Sequence, residues 1–127
     1  MLIENRTENN YQALVQAAIT RLQKMGFHEF KADIPTLEKP AMFVNQQDED
    51  KSFMPDLSMK RGQRNGYVEF ATTGGDVSRL VQKWKLLSRM AVLKNKFFMI
   101  LAPKGTITFT KRLLKEHAID AKMVRLA

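Results

Sequence analysis

Asp56 and Glu69 are the residues whose type and placement most invite chemistry. Each interrupts an apolar run, Asp56 inside Phe53-Met54-Pro55-Asp56-Leu57-Ser58-Met59 and Glu69 inside Tyr67-Val68-Glu69-Phe70-Ala71. A carboxylate in such a run costs desolvation energy unless something compensates it. Between the runs, Arg61-Gly62-Gln63-Arg64-Asn65-Gly66 carries the Gly and Asn residues that give a hairpin turn its positive φ, so 53–60 and 67–72 read as an antiparallel pair of strands. With the turn centred between Gln63 and Arg64, Asp56 comes opposite Ala71 and Glu69 opposite Ser58. The two acids are then diagonal neighbours on one sheet face, about 7–8 Å apart at the backbone. Like charges at that range need a proton or a cation between them, and a hard divalent ion such as Mg²⁺ suits carboxylate oxygens. The competing reading is a solvated sheet edge, with both acids hydrogen-bonded to Lys60, Arg61 or Arg64.

The elements that must position this pair follow from periodicity. Tyr11, Leu14, Val15, Ala18, Leu22 and Met25 form the apolar stripe of a helix that Thr7 can cap, Glu8 can favour at its positive end and Gly26 can stop. From Phe27 the period becomes two, placing His28, Phe30, Ala32 and Ile34 on one face of a half-buried strand, with His28 as a core or edge histidine. Residues 35–52 are the least regular stretch and read as a loop or flap with at most one short strand; their consecutive acids point in different directions and suit solvent. Asp76 caps a second helix with Val77, Leu80, Val81, Trp84, Leu87 and Ala91 inward, ending near Lys94-Asn95-Lys96. Phe97 to Ala102 is continuously apolar, as for a strand covered on both faces. A helix through Lys111–His117 and a last strand from Met123 to Leu126 complete the chain. The fold class is therefore α/β in the broad sense, an α+β mixed sheet in a single domain over residues 1–127, ordered helix, three strands, helix, strand, helix, strand.

Composition narrows the function classes. Among 127 residues no cysteine occurs, which excludes a zinc ribbon, a thiol nucleophile, an iron–sulfur cluster and a disulfide scaffold. No apolar run approaches the length of a membrane span, and Met1-Leu2-Ile3 is followed at once by polar residues, so a cytoplasmic protein is expected. The net charge of +8 is uneven: residues 1–58 sum to −3 and residues 59–127 to +11. A basic half of that size favours a polyanionic partner, nucleic acid first and a membrane surface second. Neither histidine has a partner pattern for a catalytic triad, and Trp84 sits at a helical core position.

Pro55-Asp56, a hairpin, Glu69 in an apolar strand, then a helix and a buried strand resemble the PD-(D/E)XK nuclease superfamily, with its restriction-endonuclease-like core in the same element order. The resemblance extends over roughly Thr7 to Leu126. It implies a metal-dependent nuclease-like domain hydrolysing phosphodiester bonds in DNA, with Asp56 and Glu69 binding Mg²⁺ (or Mn²⁺) with help from the Phe70 carbonyl. The family's lysine two residues beyond the second acid is Ala71 here. Lys83, on the following helix, is the relocated candidate and Lys60 the second. Arg61, Arg64, Arg79, Gln82, Lys85 and Arg89 would contact the nucleic acid, and a homodimer is the arrangement in which many duplex-cutting members work. The alternative is a catalytically degenerate module of the same fold that binds nucleic acid or a protein partner without cleavage.

Overall fold

The computed structural model describes residues 8–40, 43–45 and 48–126, and side chains over 11–40 and 53–126. Thr7 and the Glu8 side chain, expected at the start of the first helix, lie outside them. The apolar stripe of α1 (Glu8–Lys24) buries Tyr11, Val15, Ala18 and Leu22. It stops at Gly26, whose φ of 91° only glycine adopts cheaply. The chain continues as β1 (His28–Ala32), β2 (Phe43–Asn45), β3 (Asp48–Phe53), β4 (Leu57–Arg61), β5 (Arg64–Phe70), α2 (Val77–Leu93), β6 (Phe97–Ala102), α3 (Ile107–Glu116) and β7 (Lys122–Arg125).

Five strands form one mixed sheet in the order β1-β4-β5-β6-β7, antiparallel from β1 to β5 and parallel from β5 to β7. Alternation along β5 and β6 divides the core in two. Val68, Phe70, Met99 and Leu101 face α1, while Tyr67, Ala71, Ile100 and Ala102 face Trp84 and Leu87 of α2 and Leu113 of α3. The uninterrupted apolar run of β6 is thus explained by two covered faces, each large side chain contributing roughly 1.5–3 kcal/mol when fully buried. The single α+β domain agrees with the fold class read from the sequence.

Four local expectations are corrected. The hairpin turn is Gly62-Gln63, because Gly62 takes φ 63° and Arg61 pairs with Arg64. His28 is exposed: Glu29 adopts φ 54° and the β1/β4 register shifts between His28 and Lys31, a bulge that breaks the alternation. The stretch 35–52 holds not one strand but parts of two, β2 and β3, paired in a small sheet of their own. The third helix begins at Ile107, four residues before the expected start, behind Thr106.

Gly66 in β5 leaves room for β6: an added Cβ there would lie 2.8 Å from Phe97 Cβ and 3.0 Å from the end of Met59. Gly66→Ala is therefore expected to cost about 1–3 kcal/mol of stability, as overpacked cores do. Urea unfolding measures it, and an unchanged midpoint would mean that the sheet yields freely at this point.

Candidate functional site

Leu57 pairs with Val68, so Asp56, one residue before β4, stands level with Glu69 and not with Ala71. The register differs from the expected one by an even step, which preserves the shared face and turns diagonal neighbours into direct ones. Both acids are buried, Asp56 with 6% and Glu69 with 1% of its surface exposed. They are tied reciprocally to the backbone. The Asp56 N–H donates to Glu69 Oε2 at 2.8 Å, and the Phe70 N–H donates to Asp56 Oδ2 at 3.0 Å. From α1, Tyr11 Oη donates to the Asp56 carbonyl at 3.1 Å, and its ring meets the Phe70 ring edge to face.

α2 supplies the positive charge. Lys83 Nζ lies 3.0 Å from Glu69 Oε2. Even so, burial pushes the Glu69 carboxyl up to about 8, Asp56 pushes the same way, and Lys83 and the Asp56 N–H only partly pull it back. The balance therefore favours the protonated form of Glu69 far more than for a carboxyl in water. A cleft of about 210 Å³ adjoins the pair, bordered by Asp56, Glu69, Phe70, Thr72, Arg79 and Lys83 among others. Asp76 caps α2 at its rim, accepting from the Arg79 N–H at 3.2 Å, and the Arg79 guanidinium stacks 5.1 Å from the Phe53 ring centroid.

Among the described residues there is no group of three or more His, Asp or Glu side chains suited to a metal ion. Two carboxylates are nevertheless a donor set that fits Mg²⁺, which commonly takes one or two of them and completes its shell with water and substrate phosphates.

Asp56, Glu69, Phe70, Lys83 and Arg79 are thus brought together, and the remaining candidates are not. Lys60 pairs with Glu29 at 3.3 Å. Ala71 is buried against α2. Gln82 is exposed on α2, while Lys85 and Arg89 border a separate groove with His117. Arg61 and Arg64 flank the hairpin turn, about five residues or roughly 17 Å along the strand from Asp56. Tyr11 is legible in the sequence only as a core residue. A tyrosine in an apolar stripe needs a partner for its hydroxyl, and that is the one signal of its place at the site. The chain matches no protein-family model, no curated protein and no solved structure.

Proposed function

We propose that the protein is a Mg²⁺-dependent nuclease-like domain of the PD-(D/E)XK kind, hydrolysing phosphodiester bonds in DNA in the cytoplasm. The observation that carries this reading is the buried, directly opposed pair Asp56–Glu69 with the Lys83 ammonium 3.0 Å from Glu69. The element order of the five-stranded sheet supports it. Asp56 and Glu69, with the Phe70 carbonyl, would hold Mg²⁺ or Mn²⁺. Such an ion, when bound, polarises a phosphoryl oxygen and lowers the pKa of its water. Lys83 occupies the role that Ala71 cannot fill, presenting a cation to the attacking water or the phosphate from the following helix. Arg79, at the cleft rim, is placed to hold a phosphate oxygen, and the apolar walls keep bulk water from weakening these interactions.

Calorimetric titration tests the site directly. Mg²⁺ or Mn²⁺ is expected to bind the wild type and not Asp56→Asn; equal heats in both, or none in either, would remove the metal site. A second reading, binding without turnover, is favoured by Ala71 in the usual lysine position. Metal uptake without any nicking of supercoiled DNA would select it.

A further inference from the structure

A second built feature lies at the opposite end of the β4–β5 hairpin from the acids. The Arg61 guanidinium sits 4.7 Å from the Phe27 ring centroid and 4.9 Å from that of Phe97, and the Arg64 guanidinium sits 4.1 Å from the same Phe97 ring. Phe27 and Phe97 are themselves packed edge to face at 5.7 Å. One glycine makes room for the arrangement: Gly66, paired with Phe97 across β5 and β6, would bring an added Cβ to 2.8 Å from Phe97 Cβ. Arg64 is further fixed by donating from Nε to the Asn95 carbonyl at 3.2 Å, and Lys96 lies 5.2 Å from the Tyr67 ring centroid. Among the described residues no carboxylate lies within 4.0 Å of either guanidinium, whereas Lys31, Lys39, Lys60, Lys83 and Arg112 all have one.

Stacking on an aromatic face holds a guanidinium in place while leaving its N–H edge to bond in plane, and it costs the group none of its charge. Two such groups on one ring, with no described acid beside them, form a preorganised site for closely spaced anions. A pocket of about 370 Å³ is bordered by Arg64 and Phe97, with Lys96 and Lys122 on its walls against one acid among the lining residues, Asp120. We infer that the Arg61–Arg64 stack is a nucleic-acid anchor that grips phosphodiester oxygens at a distance from the cleft. The forked donors favour phosphate in a nucleic-acid backbone over a lipid surface, because the rings that would enter a membrane are covered by the guanidinia. The exposed Val92 and Leu93 nearby are what a membrane would use instead. The inference does not rest on the chemistry of the cleft.

The test is fluorescence anisotropy of a labelled DNA duplex across a salt series, with the intact protein carrying Arg61→Gln and Arg64→Gln together. Both positions are exposed, so the double variant is expected to keep the wild-type circular dichroism. The slope of log affinity against log salt is expected to flatten by about 1.8, near 0.9 for each phosphate no longer neutralised. Arg112→Gln, which removes an exposed arginine paired with Glu116, serves as the comparison and is expected to leave the slope unchanged. Mg²⁺ titration heats are expected to be the same in the double variant and the wild type. Arg-dependent duplex binding in a protein that takes up no Mg²⁺ would sustain the anchor while removing the proposed cleavage site. A slope that changes no more in the double variant than in Arg112→Gln would overturn the anchor. So would Arg-dependent binding to phosphatidylserine vesicles with no measurable duplex binding.

Discussion

Lys83→Met is expected to lower phosphodiester cleavage by about 10²–10⁴-fold, the range over which a positioned proton-handling or charge-stabilising group acts, while metal still binds. The reason lies in what surrounds Lys83. Its amine lies 3.0 Å from Glu69 Oε2, and Ala71, two residues beyond Glu69, offers no amine of its own. Removing the ammonium takes away a cation that competes with a metal for Glu69, so calorimetry should give Mg²⁺ affinity equal to or above that of the wild type. Loss of turnover with retained metal binding separates a role in the reaction from a role in building the site. Undiminished nicking of plasmid DNA would transfer that role to another residue or remove it.

The second large effect is on stability and its dependence on pH. With its carboxyl raised from the ordinary 4.5 to about 8, Glu69 holds its proton more firmly in the folded than in the unfolded chain. Between those values the native state binds more protons, so unfolding free energy falls as pH rises. This contribution is fully present below about 4.5 and is lost as pH rises through about 8. Glu69→Gln cannot ionise and keeps an oxygen for the Asp56 N–H, so it is expected to flatten that part of the profile and to be the more stable protein above about pH 8. Urea midpoints of both proteins across this window, measured with a metal chelator present, decide the matter. Parallel profiles would mean that Glu69 is already ionised in the folded state. Mg²⁺, by pairing with the carboxylate that has lost its proton, should restore wild-type stability at the alkaline end.

How much of this is legible in the sequence varies with how local the controlling forces are. The span of β6 is readable to the residue because six consecutive apolar side chains suit only a strand covered twice. The cap at Asp76 is equally plain, since a carboxylate at that point serves the Arg79 N–H. The hairpin turn falls one residue from its expected place, at Gly62-Gln63, where a glycine takes the positive φ that neither Gln63 nor Arg64 adopts cheaply; centring the turn on the middle of the polar segment overlooks that preference. That small displacement moves the acids from diagonal to opposite. The bulge at Glu29 leaves no sign at all, for nothing about a glutamate announces φ 54°. β3 is hidden by its composition, Asp-Glu-Asp-Lys-Ser-Phe, in which strand propensity is low and only pairing with β2 makes the element. The acid pair itself stands out because buried carboxylates contradict the strands that carry them. The stacked arginines are conspicuous in the sequence for their charge alone, since cation–π geometry depends on tertiary packing between Phe27 and Phe97.

The reciprocal bonds between Asp56, Glu69 and Phe70 bear on the order in which the molecule comes together. Asp56 and Glu69 are 13 residues apart and joined by a two-residue turn, so the ends of this loop meet at little entropic cost and on the timescale of hairpin formation. Lys83 joins from a further 14 residues along, as soon as α2 folds back on β5. Tyr11, 45 residues from its acceptor, reaches the site from a distant part of the chain. The charged centre is therefore a local product of one hairpin and one helix, available to the folding nucleus before β7 closes the sheet. Substitutions confined to α3 or β7 should accordingly speed unfolding without slowing the assembly of the site.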